Sequence, residues 1–493
     1  MRRFASLLIL VLFFSTERGQ AKPPNIVWII PDDMSAHFSC YGEQAIETPH
    51  VDQLAKEGVL FRHAYVTAPV CSTCRSALIT GMYQTSIGAH HHRSGRGEAK
   101  IHLPEGVSLV PELFQQAGYY TCISGWPGKK GRFGKTDYNF EWNATVYDGT
   151  DWGDRAEGQP FFAQIHTPGG KLRGKDEVGW EKVAMDAEKR FGSRTPLDAV
   201  ILPPYYPEHP DLVRDWAAYL DSVRMTDAMV GEVVARLEEE GLRETTLVVF
   251  MTDHGISHAR GKQFLYEEGI HVPLVIAGPG LEVGSVREDL VEHIDLAAFS
   301  LAAAGIEIPT MMQGRDILAK DYRSRQAVFS ARDRCDETVD HLRAVRTKDF
   351  KYIRNGFPER PYLQPCAYKD AKSILMALRD WHAKGKLDEL QSLQMRETRP
   401  AEELYDLRND PYELTNLANE QTYSETISTM RAFLEAWMEE TGDLGRQREA
   451  EEMFDSDMEV YLAKFRKDPV KAESLEIIEG NIAQMKAWAA EGK

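Results

Sequence analysis

Two short runs of apolar, mostly β-branched residues constrain the fold more than any other feature of the sequence. One run is NIVWII at 25–30, and the other is TLVVFM at 246–251. Their lack of polar alternation is typical of strands buried on both faces of a parallel sheet. Similar runs occur at 160–165 and 272–276, with helical patterns between them. Strands that alternate with helices predict an α/β fold, a largely parallel sheet covered by helices on both faces.

The segments between these runs contain the helical patterns. A helix is predicted over 48–61, where a Thr-Pro pair stands at the start and a glycine near the end. A second helix is predicted over 108–117 and is followed by a predicted strand at 119–124. The longest predicted helix covers 211–240, because its apolar residues recur on one face.

The pattern changes after about residue 330. Residues 342–353 alternate and contain many basic side chains, which predicts one half-exposed antiparallel strand. Residues 367–398 have a polar helical pattern, and 403–418 are predicted to form a strand, a turn and a cap region. We therefore predict a smaller C-terminal α+β domain built on an antiparallel sheet.

These patterns divide the chain into four predicted parts. They are a signal peptide at 1–21, a catalytic domain at 22–330, a C-terminal subdomain at 331–450 and a charged helical tail at 451–493. The sequence contains no internal repeat and no long linker. We therefore expect the second domain to pack tightly on the first.

The N-terminus has the pattern of an export signal. Arg2 and Arg3 precede an apolar run at 4–14, and Gly19-Gln20-Ala21 offers small residues for cleavage. The run is too short to span a bilayer. We expect a periplasmic or secreted protein, or a lysosomal one in a eukaryote, with no membrane partner. The net charge of −18 argues against nucleic acid as a partner, so an anionic substrate requires a local basic pocket.

Acidic residues follow two of the apolar runs where each run ends. Asp32 and Asp33 come directly after NIVWIIP, and Asp253 and His254 come directly after TLVVFMT. Ligands bind beyond the carboxyl ends of strands in an open parallel sheet, so we expect these side chains to meet there. A single Asp-Asp pair is also typical of a turn or a helix cap. Two such pairs favour one divalent cation held by oxygen ligands, Ca²⁺ before Mg²⁺.

A cysteine pair lies where a turn enters a predicted helix. Arg75 follows Cys71 by one helical turn, and both the helix N-terminus and this guanidinium stabilise negative charge there. The spacing from Cys71 to Cys74 also fits a redox pair. Two buried thiols or a structural disulfide fit it equally well. The pairing of the six cysteines stays open.

The segment PVCSTCRSALITG at 69–81 resembles the signature of the sulfatase family, in which Cys-x-(Pro or Ala)-x-Arg precedes a Leu-Thr-Gly run. The resemblance extends from about residue 24 to 420. NIVWIIPDD resembles the family's opening strand and metal acids, and TPHVDQLA its first helix. Residues 219–255 resemble its long helix and second metal strand, and 403–418 its C-terminal motif. The resemblance implies a fold similar to alkaline phosphatase, with a mixed, mostly parallel sheet sandwiched by helices.

The family resemblance also implies a modified nucleophile. In that family a formylglycine-generating enzyme oxidises the signature cysteine, so Cys71 is the implied source of the nucleophile. The implied metal ligands are residue 71 and the four residues of the acidic pairs, Asp32, Asp33, Asp253 and His254. One hydroxyl of the hydrated formylglycine attacks sulfur, and loss of the proton from the other expels sulfate. By resemblance, Arg75 holds the diol, while Lys135 and Lys262 contact the sulfate.

Three positions depart from the family pattern. Thr73 stands where the family has Pro or Ala, a position that the modifying enzyme reads. Asp137 follows the Gly-Lys pair where the family usually has a histidine, and we predict that it contacts substrate. The strand at 160–165 leads to His166 and Lys171 instead of Pro-His. His166 is the predicted general acid, and Lys171 is the competing candidate for that role as well as a candidate for substrate binding. The alternative interpretation of His166 is a buried core histidine whose hydrogen bonds are satisfied within the protein.

A basic segment follows the cysteine helix. His90, His91, His92 and Arg93 are expected to rim the pocket and to bind substrate, because an anionic sugar requires hydrogen-bond donors there. A solvated loop or an incidental transition-metal site is the alternative interpretation.

The sequence as a whole predicts an exported sulfatase that acts on a sulfated carbohydrate. Residues 341–355 and 403–418 resemble the branch that includes heparan N-sulfatases. One alternative is a phosphomonoesterase or phosphodiesterase of the same superfamily, with an unmodified Ser or Thr nucleophile and two metals. Another is a non-catalytic sugar-binding relative in which Cys71 stays unconverted. The chemical state of Cys71 and the number of bound metals distinguish the three.

Overall fold

A computed structural model describes residues 22–129 and 131–493. The predicted signal peptide at 1–21 lies outside the described residues. Within these residues eleven strands form two sheets, and the strands are β1 (Asn25–Pro31), β2 (Gly58–Tyr65), β3 (Tyr120–Gly125), β4 (Phe161–Thr167), β5 (Thr246–Met251), β6 (His271–Ala277), β7 (Ser285–Glu292), β8 (Val328–Arg332), β9 (Leu342–Arg346), β10 (Phe350–Asn355) and β11 (Glu402–Asp406). The α-helices are α1 (Pro49–Glu57), α2 (Cys71–Thr80), α3 (Val110–Gln116), α4 (Glu177–Phe191), α5 (Pro210–Glu239), α6 (Glu267–Ile270), α7 (Asp295–Ala303), α8 (Ala367–Asp370), α9 (Ser373–Ala383), α10 (Ser424–Glu440), α11 (Glu451–Arg466) and α12 (Ala472–Ala490).

The larger sheet has seven strands in the order β3-β4-β1-β5-β6-β2-β7. Strand β1 is central and pairs in parallel with β4 and β5, whereas β6 runs antiparallel to both of its neighbours. Helices cover both faces. The predicted mixed, mostly parallel α/β sheet with helices on both faces is therefore confirmed.

Alternate residues of β1 enter two different cores. Trp28 belongs to the cluster on one face of the sheet, where its ring meets Phe162 edge-on at 5.0 Å. Val27 and Ile29 belong to the cluster on the other face, with residues of α5. All seven residues of the strand are buried, so NIVWII lacks polar alternation because neither side of the strand faces water.

The predicted helix at 48–61 was wrong in its last four residues. Helix α1 ends at Glu57, and the chain enters β2 at Gly58. A Cβ at Gly58 would lie 2.1 Å from the carbonyl oxygen of Ile276. This glycine therefore lets β2 approach β6 closely, and the apolar residues after it pair with β6 instead of continuing the helix.

The smaller sheet is fully antiparallel, in the order β11-β10-β9-β8, and α10 packs on it. The single half-exposed strand predicted at 342–353 was wrong, because this segment forms the hairpin of β9 and β10. Three of its four basic side chains are buried instead of solvated, and Lys348 at the turn is exposed. Arg343 Nε donates to Asp443 Oδ2 at 2.6 Å, and Lys351 Nζ lies 2.8 Å from Glu413 Oε1.

The C-terminal segment is helical, as predicted, and it packs against the rest of the protein. Arg334, in the loop after β8, forms ion pairs with Glu449 and with Asp457 of α11, each at 2.7 Å. The guanidinium of Arg360 lies 5.2 Å from the ring centre of Trp488 in α12. Within the described part of the chain, no helix combines the length and the apolar character that crossing a membrane requires.

Candidate active site

The carboxyl ends of β1 and β5 bring the two acidic pairs together. These strands are parallel neighbours, so their ends meet at the same edge of the sheet. The backbone N–H of Asp33 donates to Asp253 Oδ1 at 3.0 Å, and the backbone N–H of Asp253 donates to Pro31 O at 3.0 Å. The predicted meeting of these residues is observed, and one side-chain and one backbone acceptor of these N–H groups fix the distance between the two turns.

The turn at Asp33 also packs closely against the loop that follows β4. Asp33 has a φ of 55°, in the left-handed region, which aspartate tolerates better than most residues. The loop after β4 packs directly on this turn, and the N–H of Gly170 donates to Asp32 O at 2.9 Å. A Cβ at Gly169 would lie 2.1 Å from Asp32 O, and one at Gly170 would lie 2.2 Å from Asp33 O. Only glycines permit this packing, which accounts for the Gly-Gly pair after Pro168.

Cys71 is the first residue of α2 and faces the acidic edge, which is the edge of the sheet that carries Asp32, Asp33, Asp253 and His254. Its Sγ lies 3.1 Å from His254 Nε2 and 3.2 Å from Lys262 Nζ. Lys171 Nζ and Asp33 Oδ1 are each 3.8 Å from the same sulfur. The side chain predicted to be the nucleophile is therefore surrounded by an imidazole, two ammonium groups and a carboxylate.

The second cysteine of the pair faces elsewhere. Cys74 is buried, and its thiol donates to the carbonyl oxygen of Asp253. Both Cys71 and Cys74 are free thiols in the structure, as are the other four cysteines. Burial raises the pKa of Cys74 well above its usual value, so this thiol stays protonated.

Arg75 and Lys135 neutralise the acidic edge from the opposite side. The Arg75 guanidinium forms an ion pair with Asp32 and donates through Nε to Asp253 Oδ2 at 3.2 Å. Lys135 Nζ lies 3.0 Å from Asp32 Oδ2, and Lys171 forms an ion pair with the same carboxylate. Asp32 thus contacts three cations, which explains why two adjacent aspartates are tolerated in a buried turn.

The electrostatic field at Cys71 favours an anion. Burial alone would raise the pKa of the Cys71 thiol, but Lys135, Lys262 and Lys171 outweigh burial and hold that pKa well below its usual value. A negatively charged atom at this position is therefore stabilised by three lysines. An anionic substrate group placed beside it experiences the same cations.

The residues at this edge fit one divalent cation. Ligand atoms of Asp33, Cys71, Asp253 and His254 all lie within 4.8 Å of one another, and all four residues are buried. Burial, and after it the neighbouring carboxylate of Asp32, raise the pKa of Asp253 to about 6, an effect that a bound cation reverses. Carboxylate oxygens suit Ca²⁺ or Mg²⁺. Asp32, the fifth predicted ligand, stands outside this group and contacts Arg75 instead.

The two predicted proton donors occupy different places. Lys171 is beside Cys71. His166 is buried at the end of β4, both of its ring nitrogens lack a hydrogen-bond partner, and it lines a depression together with Asp32 and Lys135. No contact among the described residues joins His166 to Cys71. Asp137 lies 3.7 Å from Lys135 Nζ and also pairs with Arg96.

The structure separates the four basic residues predicted at the rim. His90 and His91 are buried side by side, and His91 Nδ1 accepts from the backbone N–H of Arg334 at 3.2 Å. The His91 side chain contacts Arg334 and Glu449, and no contact among the described residues joins His90 or His91 to Cys71. His92 Nδ1 is 2.7 Å from Ser72 Oγ, directly beside the nucleophile position. Arg93 lines a cleft that it shares with Asp33 and Lys171, and it lies 3.5 Å from Asp336.

Sequence reasoning missed a group contributed by the C-terminal subdomain. Cys335 and Asp336 lie beside His92, with ligand-type atoms of the three within 4.8 Å of one another. Gln263 Nε2 donates to Cys335 Sγ at 3.0 Å. No strand was predicted before the run Asp333 to Glu337, so its acidic residues gave no signal of a ligand-facing edge.

Comparison with protein families agrees with this geometry. Residues 24–306, more than half of the chain, match the family model for sulfatases. Residues 254–360 match the model for the C-terminal part of N-sulphoglucosamine sulphohydrolase. The first match contains both acidic pairs and Cys71, and the second contains β8, β9 and β10.

Individual relatives extend the similarity over most of the chain. An ulvan-active sulfatase from Formosa agariphila is 33% identical over 475 residues, covering 89% of this chain and 78% of that protein. Human N-sulphoglucosamine sulphohydrolase is 27% identical, covering 86% of this chain and 91% of its own length. A structure solved in complex with D-glucosamine-2-N,6-O-disulfate superposes with a TM-score of 0.58 at 20% identity, covering 86% of this chain and 99% of that one. The chain belongs to the sulfatase family, the sulfuric ester hydrolases with an alkaline phosphatase-like fold.

Proposed function

We propose that this sulfatase removes sulfate from a carbohydrate, as a sulfate ester or a sulfamate, with a formylglycine made from Cys71 as its nucleophile. The observation that carries the proposal is the position of Cys71 Sγ, within 3.8 Å of Lys171, Lys262 and His254 at the acidic edge. The names of the relatives support a carbohydrate substrate, since one acts on ulvan and another on N-sulphoglucosamine.

Two groups supplied from outside the encoded sequence complete the chemistry. Hydrated formylglycine supplies one hydroxyl to attack sulfur and a second whose deprotonation allows sulfate to leave. A divalent cation, Ca²⁺ before Mg²⁺, supplies Lewis acidity at the attacking oxygen. Asp33, Asp253 and His254 would hold that cation together with residue 71, and Asp32 is the remaining candidate ligand.

The lysines bind the sulfuryl group and stabilise its developing charge. Lys262 and Lys171 lie 3.2 and 3.8 Å from Cys71 Sγ, and Lys135 lies 3.0 Å from Asp32 Oδ2. Arg75 is buried and positions the carboxylates through two ion pairs. Cations held rigidly in a buried site stabilise transition-state charge more than mobile surface cations do.

Lys171 and His166 are the two candidate proton donors for the leaving oxygen. Lys171 Nζ lies 3.8 Å from Cys71 Sγ, beside the attacking atom, whereas His166 lines a depression with Asp32 and Lys135. Geometry is the first criterion for a general acid, and in an in-line displacement the leaving oxygen lies across the sulfur from the attacking atom. We therefore assign sulfate binding to Lys171 and proton donation to His166.

The local charge suits an anionic substrate although the chain carries a net charge of −18. Four cations, namely Arg75, Lys135, Lys171 and Lys262, surround three carboxylates, namely Asp32, Asp33 and Asp253. A divalent cation increases the local positive charge further. A sulfate monoester entering this site meets net positive charge despite the acidic surface of the protein.

Maturation and location follow from the same proposal. We assign conversion of Cys71 to a formylglycine-generating enzyme that acts on the exported chain, with Thr73 accepted in place of Pro or Ala. Residues 1–21 are the export signal, and the mature enzyme works in the periplasm or outside the cell.

Sulfate release tests the proposal. The protein is produced with a formylglycine-generating enzyme and incubated with an ulvan disaccharide and with N-sulfoglucosamine, and free sulfate is measured by ion chromatography. Cys71→Ala should abolish release. Cys40→Ala is the matched control, since Cys40 lies beside Asp52, away from the acidic edge, and should retain activity. Activity in Cys71→Ala, or release of phosphate but not sulfate from paired esters, would refute the assignment.

A further inference from the structure

A large cleft connects the active site to the C-terminal helices. Its volume is about 960 Å³, and it begins at Asp33 and Lys171. The opposite wall is formed by α11 and α12, including Tyr461, Lys464 and Phe465. These helices lie beyond residue 360, where the family-model matches end, so neither model describes this wall.

Lys464 is a cation without a partner in this wall. It makes no ion pair among the described residues, although the described surface contains many carboxylates. Arg93, 42% exposed at its side chain, faces the same cleft and the adjoining small depression. Partial burial and then the charges of Arg93 and Arg96 lower the pKa of Lys464. Like charges gathered in this way are stabilised when an anion binds between them.

Among the other cations that line the cleft, Lys175 is exposed and makes no ion pair within the described residues, whereas the rest have partners. Arg173 donates to Asp215 at 3.0 Å, and Lys372 Nζ donates to the carbonyl oxygen of Ser257 at 2.8 Å. Lys171 belongs to the catalytic cluster described above. Arg93 and Lys464, unlike Lys175, also line the adjoining small depression together, and Arg93 is 42% exposed although it lies 3.5 Å from Asp336, so both can contact a ligand that occupies the catalytic end of the cleft.

We propose that Arg93 and Lys464 form a second anion subsite, which binds a sulfate or carboxylate group of the carbohydrate other than the sulfate that is cleaved. This rests on the proposed function, which makes the ligand a sulfated carbohydrate. Tyr461 lines the cleft and the depression together with the two cations, and its aromatic ring is the type of side chain that packs against a sugar. The enzyme therefore selects polyanionic saccharides over those with a single sulfate.

Binding to an inert enzyme tests the subsite separately from turnover. Cys71→Ala protein is titrated calorimetrically with D-glucosamine-2-N-sulfate, with D-glucosamine-2-N,6-O-disulfate and with a disaccharide of hexuronic acid and N-sulfoglucosamine. Adding Lys464→Met should weaken binding of at least one doubly anionic ligand by about tenfold and leave the monosulfate within about twofold. Lys464→Arg should restore affinity. Lys467→Met, at the exposed end of α11, is the matched control and should change nothing.

The ligand that loses affinity identifies the group bound. Loss confined to the disulfate assigns the subsite to sulfate, and loss confined to the uronate disaccharide assigns it to carboxylate. Equal loss for all three ligands, or no loss for any, overturns the subsite. Failure of the proposed function has a different result, namely no sulfate release by the converted wild-type enzyme.

Discussion

Replacing Lys262 by methionine removes a charge at the nucleophile position while nearly conserving side-chain volume. Lys262 Nζ lies 3.2 Å from Cys71 Sγ and 3.1 Å from Asp33 Oδ1, and the residue is buried. A unit charge at that distance is worth about 5 kcal/mol at an effective dielectric constant of about 20, as an upper bound. Removal of a single rigid donor to developing charge typically costs about 3–4 kcal/mol, which corresponds to a loss of about 10²–10³ in kcat.

The assay measures initial rates of sulfate release over a range of substrate concentrations. We expect kcat to fall by about 10²–10³ and KM to change less, because the charge matters most in the transition state. We expect the variant to fold, because Lys171 remains 3.7 Å from Asp33 Oδ1 and still neutralises that carboxylate. Thermal unfolding checks this expectation. Lys467→Met is the surface control. A decrease in kcat of less than about tenfold, with residue 71 fully converted, would refute the role given to Lys262.

Three further perturbations test other parts of the structure. Dialysis against a chelator should abolish sulfate release, and added Ca²⁺ should restore it; full activity without any divalent cation would contradict the metal site. Gly170→Ala should lower kcat by at least about tenfold, because its Cβ would lie 2.2 Å from Asp33 O and displace the acidic turn; kinetics like wild type would contradict that packing. Asp340→Asn should destabilise the protein by about 3–5 kcal/mol at neutral pH in urea unfolding, because Arg332 and Arg399 lose their shared buried carboxylate. These arginines overcome the effect of burial and lower the pKa of Asp340 from 3.8 to about 2, so its stabilisation is complete above pH 4 and is lost as pH falls towards 2; a difference that does not depend on pH would contradict this.

Local pattern was sufficient for the central sheet and the acidic edge. The apolar runs of β1 and β5 face two cores each, so six or seven consecutive apolar residues are enough to predict that these strands are buried. Because both strands end in acidic residues and parallel neighbours end at one edge, the sequence also predicted that Asp33 and Asp253 meet. The cysteine signature placed Cys71 beside them by family resemblance.

Long-range pairing was what the sequence could not supply. Arg343 has the sequence pattern of an exposed basic residue, yet it is buried because Asp443, 100 residues later, accepts its hydrogen bonds. The helix predicted over 48–61 extended too far because the strand partner of its last residues is β6, far along the chain. The same limit hid Lys464, whose contribution to the cleft depends on how the C-terminal helices dock.

The chemical state of residue 71 tests the central claim most directly. Trypsin releases the peptide HAYVTAPVCSTCR, residues 63–75, which contains both Cys71 and Cys74. The peptide is taken from enzyme that releases sulfate, and fragmentation mass spectrometry locates any change between the two cysteines. We predict an aldehyde in place of the thiol at residue 71 and an unmodified thiol at residue 74. An active enzyme whose Cys71 is an intact thiol, or is joined to Cys74 in a disulfide, would contradict the proposed nucleophile.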